Sequence, residues 1–331
     1  MGRVAITATG SYTPGLVITN EELVERFGLD VDAAWIEDRT GIRERHWMEP
    51  GQTTSDMLVE AGRRVLEEAG CPPERVDRLI VGTVSPDLPS PSTATIVARK
   101  LGARCPAFDL SAACVSFLYG LDCAAGAIRG GEERVLVLCG DARSRFVDTS
   151  DRRSVVLFAD AAAGALLEPV DPASVDGRGL LSVAIGAEGR ERMGAWVPGG
   201  GAARPTSHET VDAGEHFLRV DGRNEIFELF LQFTREACEL ALARAGIGLD
   251  AVDLFINHQG NARLVERVVE DLGLPPERAV NEIARHGNTS GATVPLALDE
   301  ARRSGRIRPG DTVLLSSVGA GWVFGAAVHR F

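Results

Sequence analysis

The chain repeats itself, and the repeat restricts its fold more than any other feature. Val252-Asp-Leu-Phe-Ile-Asn257 echoes Val76-Asp-Arg-Leu-Ile-Val81, with Asp253 lying 176 residues beyond Asp77. Thr312-Val-Leu-Leu echoes Arg134-Val-Leu-Val at a shift of 178. Between them, the segment at Ser290 falls opposite Cys114 at a shift of 176. Three matches in one order and at nearly one spacing imply a duplicated α/β unit. Glu168-Pro-Val-Asp-Pro-Ala-Ser-Val-Asp-Gly177 breaks the pattern with Pro, Asp and Gly and marks the joint. The halves are set at 1–174 and 175–331.

Within each half, strands of short apolar runs alternate with amphipathic helices. Thr54-Ser-Asp-Met57 opens a helix that puts Met57, Leu58, Ala61, Val65 and Ala69 on one face; Gly70 and Pro72-Pro73 stop it. Arg78–Val84 then reads as a strand buried on both sides. A helix from about Ser92 to Leu101, a short strand over Ala107–Leu110, a helix from about Ala113 to Ile128 and a strand from Arg134 follow. Pro198–Pro205 is too irregular for an element and reads as a surface excursion.

Composition matters here for what it excludes. At 331 residues, 44% apolar and 25% charged, the chain can bury a sizeable core and is not globally disordered. A formal charge of −12 argues against nucleic acid or an anionic membrane as the main partner. No apolar run approaches the roughly 20 residues of a spanning helix. The opening Met1-Gly-Arg-Val-Ala-Ile lacks a signal-peptide layout, and the six cysteines form no C-x-x-C pair. Free thiols in a cytoplasmic protein are therefore expected.

Cys114 stands apart from the other five cysteines. Phe108-Asp-Leu110 feeds through Ser111-Ala-Ala113 into a helix, so the thiol sits at a strand-to-helix turn near the positive end of a helix dipole. An ordinary thiol, with a pKa of about 8.5, is only a few per cent thiolate at neutral pH, and a helix terminus favours the anion by roughly 0.3–1 kcal/mol. Position alone also fits a buried structural cysteine. His258 lies just past a strand end, where open α/β sheets place ligands. His286 and Asn288 fall in Arg285-His-Gly-Asn-Thr-Ser-Gly291, the repeat counterpart of the cysteine turn. Rival motifs fail. Gly319-Ala-Gly-Trp-Val-Phe-Gly325 has the wrong spacing for a dinucleotide loop and no following helix. His46, His208, His216 and His329 show no metal-ligand spacing, and G-x-S-x-G is absent.

At these residues the chain resembles β-ketoacyl-acyl carrier protein synthase III, a condensing-enzyme family. The resemblance runs end to end through Trp35-Ile-Glu-Asp-Arg-Thr-Gly-Ile-Arg-Glu-Arg-His46, Cys105-Pro-Ala-Phe-Asp-Leu-Ser-Ala-Ala-Cys114, Asn257-His-Gln-Gly-Asn261, Arg285-His-Gly-Asn-Thr-Ser290 and the glycine-rich C-terminal strand pair. It implies the α/β thiolase fold, a duplicated five-layered αβαβα architecture, in a homodimer. It implies a catalytic set of Cys114, His258 and Asn288, with the amides of Cys114 and Ala320 as an oxyanion hole. Trp35, Arg39 and Arg152 would grip coenzyme A, while Asn224, Phe227 and Asn261 would line the passage for its pantetheine arm. The substrates would be an acyl-coenzyme A and a malonyl thioester on an acyl carrier protein, with no metal or further cofactor.

The departures concern the partner. Arg263 remains for docking an acidic carrier, but Glu228, Glu270 and Asp271 stand where basic residues are common. Arg153 follows Arg152 where glycine is usual, Arg223 precedes Asn224, Ala320 replaces a frequent glycine, and Ser90 replaces a larger pocket gate. Transfer of the acyl group to an alcohol or amine, without decarboxylation, therefore stays open beside condensation. Arg39, Arg43 and Arg45 also fit a plain solvated basic stretch.

Overall fold

The structure, a computed structural model, describes residues 3–171, 177–220 and 223–331, the side chains of 223–225 excepted. Two sheets organise it. The first runs, in spatial order, Arg3–Tyr12, Asp160–Val170, Val135–Ala142, Arg78–Gly82 and Ala107–Leu110. The second runs Gly179–Ala187, Val323–Arg330, Thr312–Gly319 and Leu254–Asn257. Both have the same directions: two antiparallel pairings, then a parallel one. A parallel bridge between Phe255 and Ala279 stands where Ala107–Leu110 completes the first sheet. The last described strand of the first sheet ends at Val170 and the second sheet begins at Gly179, while the expected joint at 174/175 lies outside the described residues.

The repeated aspartates explain why the duplication survives in sequence. Asp77 accepts the amide of Arg134 at 2.7 Å, and Asp253 accepts that of Thr312 at 2.8 Å. Each carboxylate thus ties the start of one parallel strand to its neighbour.

Alternation along the strands builds five layers. Ile80, Val137 and Cys139 face the middle of the molecule, where they meet Phe117, Leu118 and Leu121 of helix Ser116–Arg129. Val313 and Leu315 reach the same layer from the second sheet, against Val294 and Leu298 of helix Thr293–Arg303. Leu79, Val81, Leu136 and Leu138 point outward onto helix Thr54–Ala69 through Met57, Leu58, Ala61 and Val65. Leu314 and Val328 point outward onto helix Arg223–Ala245 through Phe233, Ala237 and Ala241. Strands covered on both faces read as continuous apolar runs, and each fully buried Leu, Ile or Val contributes roughly 1.5–3 kcal/mol. The result is the αβαβα stack of the thiolase fold.

Local signals end the elements. Thr53 and Asp56 form a reciprocal capping box at the start of helix Thr54–Ala69, and Gly70 closes it at φ 59°. Pro198–Pro205 is a largely exposed excursion with one bridge, Gly201 to Arg204. Arg45 corrects the idea of a solvated basic stretch. It is fully buried, and its guanidinium donates to Ile18 O, Asn20 Oδ1 and Val156 O. Arg43, by contrast, is exposed and pairs with Glu37.

Candidate active site

The middle-layer helices start from turns of the same shape. Residues Ala113–Val115 form a 3-10 turn ahead of helix Ser116–Arg129, and Ser290–Ala292 form one ahead of helix Thr293–Arg303. Ala113 has φ 46° and Ser290 φ 53°. Ser290 is therefore the counterpart of Ala113, and Gly291 that of Cys114, one residue off the alignment read from sequence. The third described non-glycine residue with positive φ is Trp322, at 50°, two residues after Ala320. Ala113 and Ser290 flank Cys114 and Asn288, and such backbone strain costs of order 1–3 kcal/mol each.

Cys114 is half-buried, with its Sγ 3.8 Å from Ser290 Oγ. Its carbonyl accepts the Ser317 hydroxyl at 2.8 Å. The end of strand Thr312–Gly319 lies against its amide, since a Cβ at Gly319 would come 3.0 Å from Cys114 N. Ala320 is the next residue in the chain. Ser290 also fixes Asn288: the Ser290 amide donates to Asn288 Oδ1 at 3.0 Å, leaving Nδ2 free to face elsewhere. The Asn288 backbone is pinned to the first half, donating to Leu157 O at 2.8 Å and accepting from Ala159 N at 2.9 Å.

His258 follows strand Leu254–Asn257, its amide donating to Ser316 O at 3.0 Å and its ring 6.1 Å from that of Phe230. A Cβ on Gly260 would lie 2.9 Å from His258 Nε2 and 3.7 Å from Asn288 Nδ2. The two nitrogens thus border one small space, which glycine keeps open. His286 does not join them. Its Nε2 meets Glu300 Oε1 at 2.9 Å, and its ring stacks on His46.

Electrostatics here are dominated by burial. Burial pushes the Cys114 thiol up to about 11; Arg143 and the Ser290 hydroxyl pull against it, and Asp141 adds to it. The helix dipole does not overcome that desolvation, so the resting group is a thiol. Burial likewise lowers His258 to about 4, so its imidazole is neutral at pH 7. Asp141 lies beneath the turn, accepting from Thr83, Val84, Ser85 and the Gly291 amide.

A second cluster gathers most of the residues expected at coenzyme A. The guanidinium carbons of Arg152 and Arg39 sit 5.4 and 6.0 Å from the Trp35 ring centroid. Asn261 caps helix Ala262–Leu272 through Oδ1, while its Nδ2 donates to Arg39 O at 3.0 Å. Its carboxamide therefore ties two helices together with both ends engaged. Phe227 packs in the second-half outer core, and the Asn224 and Arg223 side chains lie outside the described residues.

Residues 108–189 match the family description 3-Oxoacyl-[acyl-carrier-protein (ACP)] synthase III, and residues 242–331 match its C-terminal part. A β-ketoacyl-[acyl-carrier-protein] synthase III of Symbiobacterium thermophilum is 42% identical, covering 99% of this chain and 98% of its own. The chain belongs to the β-ketoacyl-[acyl-carrier-protein] synthase III family. The synthase III of Aquifex aeolicus superposes with a TM-score of 0.89 at 34% identity, over 99% of this chain and 100% of that one. The priming β-ketosynthase of the R1128 polyketide pathway gives 0.89 at 31%, over 100% and 96%.

Within this synthase III frame, Arg263 is exposed and paired with Asp38 at 3.1 Å. Asp271 is held by Arg235, Glu270 pairs with Arg267, Glu228 is exposed, and Arg153 is paired with Asp151. Ser90 lies in an exposed loop. Sequence reasoning missed Arg143, Asp141 and Gly260, and gave Ser290 no role. A polar Asp-x-Arg closing an apolar strand at the sheet's C-terminal edge was the available signal for the first two.

Proposed function

We propose that Cys114, His258 and Asn288 carry out a decarboxylative condensation that starts a fatty-acid or polyketide chain. Cys114 Sγ attacks the carbonyl of an acyl-coenzyme A; a C–S bond forms, the C–S bond to coenzyme A breaks, and the departing coenzyme A takes the thiol proton. A thiol near 11 and an imidazole near 4 do not form an ion pair at rest, so the proton moves only as the thioester carbonyl engages. The amides of Cys114 and Ala320 would receive the oxyanion.

A malonyl thioester follows. Its carboxyl leaves as carbon dioxide, and the bonding pair passes into an enolate whose oxygen accepts hydrogen bonds from His258 Nε2 and Asn288 Nδ2. The enolate carbon attacks the acyl carbonyl, and the Cys114 thiolate departs. A neutral imidazole suits this role, because it donates without having to be deprotonated. No metal or separate cofactor is needed, since decarboxylation itself supplies the carbanion. The single observation that carries the reading is the space at Gly260, bordered by His258 Nε2 and Asn288 Nδ2, with Ser290 linking Asn288 to Cys114.

Trp35, Arg39 and Arg152 would hold the adenine and phosphates of coenzyme A, by stacking and guanidinium–phosphate bonds. Asn224, Phe227 and Asn261 would flank the pantetheine arm. Arg263 would meet the carrier protein. A homodimer fits the edge strand Ala107–Leu110, which has no outer strand partner among the described residues and leaves Phe108 37% exposed. The cysteines are free among the described residues and no described helix is long and apolar enough to cross a membrane, which agrees with a cytoplasmic location.

The test is intact-mass measurement after exposure to acyl-coenzyme A, followed by malonyl-carrier protein. One added acyl group, absent in Cys114→Ala, then lost with release of carbon dioxide, is the expected course. An acyl-enzyme that releases no carbon dioxide but discharges onto an alcohol or amine would replace condensation with simple transfer.

A further inference from the structure

We propose that the acyl group taken up by Cys114 ends in a carboxylate, and that Arg143 is the residue that binds it. The proposal rests on the acyl-enzyme reading above and names its substrate class.

Arg143 follows strand Val135–Ala142 at the sheet edge where Cys114 sits. It is 6% exposed, its Nε is buried without a partner, and among the described residues no hydrogen bond or ion pair reaches its guanidinium. Its recorded contact is the face of the Phe158 ring, 5.1 Å from centroid to guanidinium carbon. Phe158 lies between the two residues that bond the Asn288 backbone, so the guanidinium is beside the reacting groups. Among the charges around Cys114, Arg143 exerts the strongest pull towards thiolate.

Arg45 differs: its Nε is also unpartnered, but its terminal nitrogens donate to three acceptors, whereas among the described residues no hydrogen bond reaches any nitrogen of Arg143. The acids near Arg143 are already committed. Asp141 accepts from Thr83, Val84, Ser85 and Gly291, and Asp160 from Met48 and Ser144. A largely buried guanidinium with no hydrogen-bond or ion-pair partner among the described residues is open to an anion from outside, and its planar fork matches a carboxylate in two parallel bonds. The position, beside Cys114 rather than on the coenzyme A surface at Trp35, assigns that anion to the acyl end of the substrate.

The step is thioester exchange: Cys114–SH and a carboxyacyl-coenzyme A give the carboxyacyl-cysteine and free coenzyme A thiol. The distal carboxylate is unchanged throughout. Nothing is oxidised or reduced.

The full-length protein should be mixed with succinyl- or glutaryl-coenzyme A, and separately with butyryl- or valeryl-coenzyme A, which match them in carbon count. Loading rates are read by intact mass. The wild-type protein loads the carboxylated donors at least about tenfold faster. Arg143→Leu, which keeps an apolar contact for Phe158, loads succinyl-coenzyme A roughly 10- to 100-fold more slowly and butyryl-coenzyme A faster than wild type. Arg143→Lys retains part of the preference for the carboxylated donor.

Equal or faster loading of the neutral donors by the wild type overturns the proposal. So does an Arg143→Leu protein that slows both donors alike while light scattering shows a changed oligomer, which would assign the guanidinium to subunit packing. Failure of all four donors to load any residue would overturn the acyl-enzyme reading itself, and this proposal with it. Loading of butyryl alone leaves the acyl-enzyme standing and removes only the carboxylate.

Discussion

The turn at Ala113 and the turn at Ser290 have nearly the same backbone, with φ of 46° and 53°, and each launches a middle-layer helix. Their chemistry differs. The first presents a thiol. The second presents a hydroxyl and, two residues earlier, a carboxamide whose oxygen is tied back by the Ser290 amide. Duplication supplied two equivalent strained turns facing each other across the middle layer. One holds the thiol, and the other holds neutral hydrogen-bonding groups. A reaction needing both a covalent carrier and an enolate-stabilising pair can divide the two tasks between the halves without either turn changing shape.

That division can be broken experimentally. The largest effect belongs to Cys114→Ala, which should lower overall condensation by roughly 10⁴-fold or more, as for loss of other enzymic nucleophiles. The variant should still decarboxylate a malonyl thioester, because His258 and Asn288 remain. Parallel assays of product and carbon dioxide check this. Asn288→Ala should show the reverse: loading of Cys114 seen by mass, with decarboxylation and condensation slowed by roughly 10²–10³-fold.

Gly260→Ala sharpens the comparison without touching a functional group. Its methyl would meet His258 Nε2 at 2.9 Å and intrude beside Asn288 Nδ2. Condensation should fall by roughly 10- to 100-fold while Cys114 loading changes far less, as single-turnover kinetics on each step would reveal.

The smallest effect is on stability. His258 is lowered to about 4 and His329 to about 3, both by burial; His329 is fully buried, with Nε2 accepting the Ile6 amide. Below pH 6.5 the unfolded chain binds protons that the folded chain refuses, so stability is complete above 6.5 and falls as pH drops. Each imidazole contributes up to about 1.4 kcal/mol per pH unit. Urea unfolding between pH 6.5 and 5 should show this loss, with a shallower slope in His258→Ala. Asp160, raised by burial, acts in the opposite direction but is common to both proteins.

Much of the fold was legible in sequence because the repeat is held by residues with local tasks. Asp77 and Asp253 clamp neighbouring strands, and Met57 to Val65 follow helical spacing onto one sheet. The one-residue error at the turn has a physical reason. Hydroxyl and thiol look alike in position, whereas the true match is set by the positive φ of Ala113 and Ser290, which neither residue type advertises. Arg45 and Arg143 were hard for a related reason: arginine is usually a surface residue, and only packing distinguishes one wrapped by carbonyls from one left without an anion. The helix end beside Cys114 was visible in sequence, whereas the burial that raises its thiol was not.

The central claim is that a sulfur from one half and two nitrogens from the other share a single chamber. A crystal structure of the protein with coenzyme A bound tests it directly. The account predicts the pantetheine thiol entering past Trp35 and Arg152 and ending about 3–4 Å from Cys114 Sγ, with His258 Nε2 and Asn288 Nδ2 lining the same space. A structure in which those three side chains open onto separate cavities, or the thiol ends elsewhere, would contradict it.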